Sequence, residues 1–197
     1  MIRVFIAVFS LVCAFSGQAI AGPHRVIDLR TRTDGSGEYE LGFCARPSPD
    51  VPLGVPGHAF VSFSAKPSGS QRTYVAVGHT TKAAVPSVVL SYVKPLGPVS
   101  GYLGEELYTA AKEQCLVAQV NKEDYDKAFA LTKDPLAGAG LAVSAAPVRL
   151  AYSLGERDCI TFMTQVIQTI GGTTLKVPPR KASDLPLSYL RRLIEEN

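Results

Sequence analysis

Short β-branched and aromatic runs, interspersed with separate stretches of helical periodicity, predict an α+β domain. Two neighbouring runs carry the strand side of that expectation. His58 to Ala65 holds Phe60, Val61 and Phe63, and Arg72 to Thr80 holds Tyr74, Val75 and Val77. They are joined by Lys66-Pro67-Ser68-Gly69-Ser70-Gln71, so together they read as a β-hairpin. The helical side rests on Asp158, a good N-cap, followed by Phe162, Val166 and Ile170 at helical spacing. Gly171-Gly172 is the stop signal for that helix, and Cys159 becomes its first residue.

The other elements follow in chain order. Val26 to Leu29 and Tyr39 to Cys44 have strand composition and are separated by the turn Asp34-Gly35-Ser36-Gly37. A Pro-rich loop runs from Pro47 to Pro56. Pro86 to Tyr102 is mostly loop, with a candidate strand at Val88 to Val93, and Glu105 to Lys112 is a candidate short helix. Leu116 to Val120 is a further strand. Asn121 stands at an N-cap position for Lys122 to Lys133, where Tyr125, Ala128, Phe129 and Thr132 share one helical face. Asp134-Pro135 ends that helix. Leu136 to Pro147 is a Gly/Ala-rich piece without periodicity, and Leu187 to Glu196 is a final short helix.

Residues 1–21 read as a secretory signal peptide. Arg3 is a positive start, Val4 to Phe15 an apolar run, and Ala19-Ile20-Ala21 a small-residue cleavage site. The run is shorter than a bilayer span of ~20 residues. Cleavage near Ala21 leaves one mature domain, residues 22–197, expected in the periplasm or outside the cell. It contains no second apolar run of spanning length, so no transmembrane segment is expected in it. With Arg3 gone, 20 Lys and Arg become 19 against 17 Asp and Glu, a formal charge near +2. That balance, with no basic stripe, argues against nucleic acid as a partner. Nothing in the pattern sets an oligomeric state.

The mature part keeps Cys44, Cys115 and Cys159. Exported chains live where thiols pair, and an odd count leaves one over. Cys44 ends one strand-like run and Cys115 opens another. Connectivity does not follow from spacing alone; Cys44 with Cys115 is the expected disulfide, and Cys159 the expected free thiol.

A cysteine at a helix N-terminus gains from unsatisfied amides and the positive end of the helix dipole, which favour thiolate, the nucleophilic form. The same amides can hold an oxyanion. Without a basic partner such a residue is a small buried hydrophobe. The histidines are His24, next to the cleavage point, and His58 and His79 on the two arms of the hairpin. A turn centred between Ser68 and Gly69 sets His58 opposite His79, and a one-residue slip sends His79 to the other face. Thiol, base and a third polar group orienting the base make a nucleophilic acyl-transfer site. In that reading Cys159 attacks, His58 is the base, and His79 or an unidentified polar side chain orients His58. The histidine pair also reads as two satisfied strand residues or an incomplete metal site. No carboxylate lies at ligand spacing, so neither metal nor cofactor is expected.

Tyr152-Ser153-Leu154-Gly155-Glu156-Arg157-Asp158-Cys159-Ile160-Thr161-Phe162 resembles the cysteine block of the NlpC-type, papain-like cysteine peptidases: a tyrosine, a glycine, then Asp-Cys-Ser-Gly-Phe. Val177-Pro178-Pro179-Arg180 with Ser183 resembles that family's Leu-Pro-Arg-x-Ser segment, and Gly57-His58-Ala59-Phe60-Val61 its histidine strand. Ile160-Thr161 stands where the family has Ser-Gly. Here the histidine strand precedes the cysteine block, an order similar to the circularly permuted branch. The resemblance implies a permuted papain-like fold, with an antiparallel sheet carrying the histidine packed against the cysteine helix. It implies Cys159 as nucleophile, with Tyr152 and Asp158 as oxyanion or orienting residues. It implies an exported amide hydrolase acting on a peptidoglycan stem peptide. The alternatives are a lipid ester or amide acyl hydrolase or transferase, and a catalytically silent binding or immunity-like module on the same fold.

Overall fold

The computed structural model describes residues 24–33, 35–48, 56–92, 97–106, 113–132, 148–170, 174–181 and 183–197. The expected signal peptide, the Gly/Ala-rich piece 136–147, most of the Pro-rich loop, residues 107–112 of the expected short helix and the Gly171-Gly172 stop lie outside them.

The described residues form a mixed α+β fold of seven strands and four helices. In chain order these are β1 (His24–Asp28), β2 (Gly37–Arg46), β3 (His58–Pro67), β4 (Thr73–Thr81), α1 (Val85–Leu90), β5 (Val99–Glu105), β6 (Gln114–Gln119), α2 (Lys122–Ala130), β7 (Val148–Tyr152), α3 (Cys159–Thr169) and α4 (Pro186–Glu196). The strands make one sheet in the order β1-β6-β2-β3-β4-β5-β7. Among the described strands, only the β1–β6 pair is parallel.

Strand alternation sorts this sheet into two faces. Leu41, Phe43 and Ala45 of β2, Ala59, Val61 and Phe63 of β3, and Val77 of β4 are fully buried on one face. Against them pack Phe162, Met163, Val166 and Ile167 of α3 and Tyr189, Leu190 and Leu193 of α4. Tyr125 of α2 joins the same core through edge contact with the Phe63 ring. The opposite face carries a smaller cluster of Cys44, Phe60, Ala76 and Cys115. Cys44 and Cys115 lie directly opposite in the β2–β6 register and are disulfide-bonded, leaving Cys159 as the free thiol. A disulfide suits an oxidising compartment. No helix among the described residues is long and apolar enough to cross a membrane.

Four local expectations change. The hairpin pairs Val61 with Val77 and Phe63 with Val75, centring its loop on Gly69, whose φ is 75°. That is one residue away from the register that sets His58 opposite His79. His79 therefore joins Val75 and Val77 on the helix-covered face, while His58 lies with Phe60 on the other. Residues 85–90 are helical where a loop or strand was expected, because Pro86 sits in the first turn, where no amide donor is needed. Residues 99–105 form a central strand where loop and the start of a helix were expected. Glycines mask it: a Cβ at Gly101 would lie 2.7 Å from Tyr152 Cβ, and one at Gly104 2.8 Å from the Tyr102 ring. Asn121 is the N-cap residue of α2, but its side chain makes no capping bond and pairs with Thr31 instead.

The disulfide closes a long loop, its cysteines lying 71 positions apart in the chain. Replacing both Cys44 and Cys115 with alanine should lower the unfolding free energy by about 4 kcal/mol on the loop-closure relation. Urea denaturation would read this as an earlier midpoint, and reductant should move the unsubstituted protein in the same direction.

Candidate functional site

Cys159 opens α3, and the residue before it builds the entrance. Asp158 is 1% exposed, and its carboxylate is fully engaged. Oδ1 accepts from the Ile160 and Thr161 amides, each at 3.1 Å, and Oδ2 accepts from the Gly155 amide at 2.8 Å. Arg180 donates to both oxygens, at 2.6 and 2.5 Å. Burial raises the Asp158 carboxyl, but the Arg180 bonds and charge, with the Gly155 and Thr161 amides, outweigh it and hold the group below its ordinary range. Gly155 reaches its position at φ 87°, where the Tyr92 ring packs so closely that an added Cβ would lie 3.0 Å from it. The Arg180 segment is itself held by α4, through Tyr189 Oη to the Pro178 carbonyl and Arg192 to the Pro179 carbonyl. Thr161, where the resembled family has glycine, places its hydroxyl between Glu156, Asp158 and Arg180.

This cap alters the oxyanion expectation. Two first-turn amides of α3 are spent on Asp158, so they are not free for a ligand. The amide of Cys159 itself has no partner among the described residues.

His58 begins β3, and its imidazole interacts with the Cys159 side chain and with Glu106. The Nε2 to Glu106 Oε1 distance is 2.8 Å. Burial would depress the imidazole. The hydrogen bonds to Cys159 and Glu106, with their charges, overcome it and raise His58 to about 9. Glu106 lies one residue beyond β5, and its own amide donates to the Ala76 carbonyl of β4 at 2.8 Å. Its second oxygen accepts from Arg46 at 3.1 Å. Arg46 is the cross-strand partner of His58 in the β2–β3 register. Burial opposes ionisation of Glu106, but bonds and charges from His58 and Arg46 bring it below its ordinary range. Gly78 is the floor of this contact. A Cβ there would lie 2.4 Å from His58 Nε2 and 2.7 Å from Glu106 Oε1.

Tyr152, the last residue of β7, is buried and lines the same cleft as Cys159. Burial raises this phenol, and the neighbouring Cys159 and Asp158 raise it further, so it stays a neutral donor. His79 packs edge-on against the Tyr152 ring, with centroids 5.1 Å apart. Its Nε2 is buried without a hydrogen-bond partner. Burial lowers this imidazole, despite the Asp158 charge and backbone, so His79 is neutral near pH 7.

Of the residues singled out from sequence, the structure brings Cys159, His58, Tyr152 and Asp158 together. His79 comes close to Tyr152 and Asp158, but the group on His58 Nε2 is Glu106. Glu106, Arg46 and Gly78 carried no motif signal. A β5 strand ending beside β4 would have pointed to Glu106, and the glycines at 101 and 104 concealed that strand. Set against known protein families, curated proteins and solved structures, the chain finds no match.

Gly78→Ala should push His58 and Glu106 apart. Because the Glu106 bond raises His58, its titration midpoint should fall from about 9 when followed by NMR. A raised histidine stabilises the fold below its unfolded value near 6.5 and loses that contribution as pH climbs through about 9. In Gly78→Ala this stability should be lost at lower pH than in the unsubstituted protein.

Proposed function

We propose that this chain is an exported cysteine hydrolase of an amide or ester bond, working through an acyl-enzyme on Cys159. The observation that carries it is the hydrogen-bonded line from His58 through Glu106 to Arg46, with Cys159 at a helix N-terminus within interaction range of His58. Three residues in these roles are what an activated nucleophile needs. The reading includes membership of the permuted papain-like superfamily. The histidine strand preceding the cysteine helix, and the packing of α3 on β3 and β4, support it. The disulfide supports export to an oxidising compartment.

In this mechanism His58, whose raised value keeps the imidazole protonated near pH 7, already holds the proton given up by Cys159, and the thiolate sulfur bonds to the substrate carbonyl carbon. The carbonyl π electrons move to oxygen, and the resulting oxyanion takes hydrogen bonds from the Cys159 amide and the Tyr152 hydroxyl. The tetrahedral carbon then expels the amine or alcohol, which leaves with the proton from His58. Water, deprotonated by His58, attacks the thioester and releases the acid and the free thiol. Glu106 holds the imidazole and stabilises its charged form, and Arg46 keeps Glu106 ionised. His79 takes no proton in this scheme. The family resemblance brings two substrate classes, a peptidoglycan stem peptide and a lipid ester or amide.

Iodoacetamide labelling of the oxidised protein tests the reading. Cys159 should react quickly near pH 7, and His58→Ala should slow it by a factor on the order of 100, the usual contribution of a positioned base. Labelling no faster than that of an ordinary buried thiol sinks the proposal. Tyr152→Phe separates two steps. Hydrolysis should fall about 100-fold through loss of an oxyanion donor. Alkylation, which forms no oxyanion, should change far less.

A further inference from the structure

The cleft beside Cys159 has a volume of about 190 Å³. Besides Cys159, three charged side chains line it: Asp158, Arg180 and Asp184. Each is already answered within the protein. Asp158 and Arg180 pair with two hydrogen bonds, and Asp184 pairs with Arg192 and accepts the Lys181 amide. Behind His58, Glu106 is likewise neutralised by Arg46. Among the described residues, then, the cleft wall offers no uncommitted charge. A substrate carboxylate or ammonium entering it would shed water without gaining a counter-charge, which is costly in an enclosed site.

Apart from Ser183 and the Tyr152 hydroxyl the remaining wall is apolar, and it continues outward. Tyr92 and Leu185 line the cleft and are still 52% and 41% exposed. Beyond Tyr92, α1 has no buried residue, and Val85, Val89 and Leu90 on it are about half exposed. Exposed large apolar side chains at a cleft mouth and on the element next to it mark a binding surface. This one is fastened to the site: the Ser153 hydroxyl donates to the Ser91 carbonyl at 3.0 Å, and the Leu154 amide donates to the Ser91 hydroxyl at 3.3 Å. The Tyr92 ring also packs on Gly155, whose amide holds Asp158. The apolar rim and the nucleophile are thus parts of one assembly.

We infer that the acyl group transferred to Cys159 is uncharged and apolar, lying against Tyr92 and Leu185 and extending along α1. This rests on the hydrolase reading above, and it selects against stem peptides, whose free carboxylates and ammonium lie near their amide bonds. Matched alkylating probes test it on the full mature chain with its disulfide intact. N-hexyl iodoacetamide and N-(2-carboxyethyl) iodoacetamide are each compared with plain iodoacetamide, and all rates are normalised to their rates with glutathione. The hexyl probe should label Cys159 about tenfold faster than the carboxyethyl probe, a gain equal to burying roughly two methylenes. In Leu185→Asp and in Tyr92→Ser, the hexyl-to-iodoacetamide ratio should fall towards one. Fast iodoacetamide labelling with no hexyl preference overturns the acyl assignment and leaves the hydrolase reading standing. Slow iodoacetamide labelling, unaffected by His58→Ala, removes both.

Discussion

The carboxylate of Asp158 is the constraint on which the candidate site depends. A charge this deeply buried is unfavourable unless it is paired and hydrogen-bonded. Satisfying it recruits three pieces of chain. The Ile160 and Thr161 amides start α3, the Gly155 amide shapes the turn after β7, and Arg180 draws in the segment before α4. Removing Arg180 would strand the buried Asp158 carboxylate without its counter-charge, a loss of about 3–5 kcal/mol for buried charges of this kind. The position of Cys159 is therefore a consequence of the cap. The nucleophile sits where three separate segments converge to satisfy one charge.

The sheet completes the arrangement from the other side. Strand β3 sends Ala59, Val61 and Phe63 into the core beneath α3 and sends His58 to the opposite face at its first residue. Because alternation is strict along a strand, one register shift in β2, β3 or β4 would turn Arg46, His58 or Gly78 away from the others. The disulfide ties β2 to β6 two residues before Arg46, on the same face. Gly78 then admits the close approach of imidazole and carboxylate that any side chain would block.

Legibility in the sequence followed how local each determinant is. Asp158 before a periodic apolar run announced α3, since capping and helical spacing are written within a dozen positions. Cys44 and Cys115 were readable from strand context and an odd thiol count. The strands flanking the hairpin turn were also plain, but their register was not. Five polar, flexible residues can close on either of two centres, and the choice belongs to packing across the sheet. Glu106 was invisible for a different reason. Its strand contains Gly101 and Gly104, which lower β propensity while allowing Tyr152 and Tyr102 to pack close. What conceals the element from a propensity argument is the same close packing that places it beside β4.

His79 shows how such packing extends to the reactive thiol. An imidazole nitrogen buried without a partner forfeits about 1–3 kcal/mol. A fold retains such a group when the rest of the ring is useful to its surroundings. Here the ring stands edge-on to Tyr152, which shares a cleft with Cys159, while Gly101 leaves room for both side chains. His79 is also within electrostatic reach of Asp158 and His58, and its neutrality spares the site another cation. A charged imidazole at this position would repel the raised His58 and compete with Arg180 for Asp158. Keeping it neutral by burial preserves the balance of Arg180 with Asp158 and of Arg46 with Glu106. The idle nitrogen of His79 is thus consistent with a site in which the other buried charges are matched.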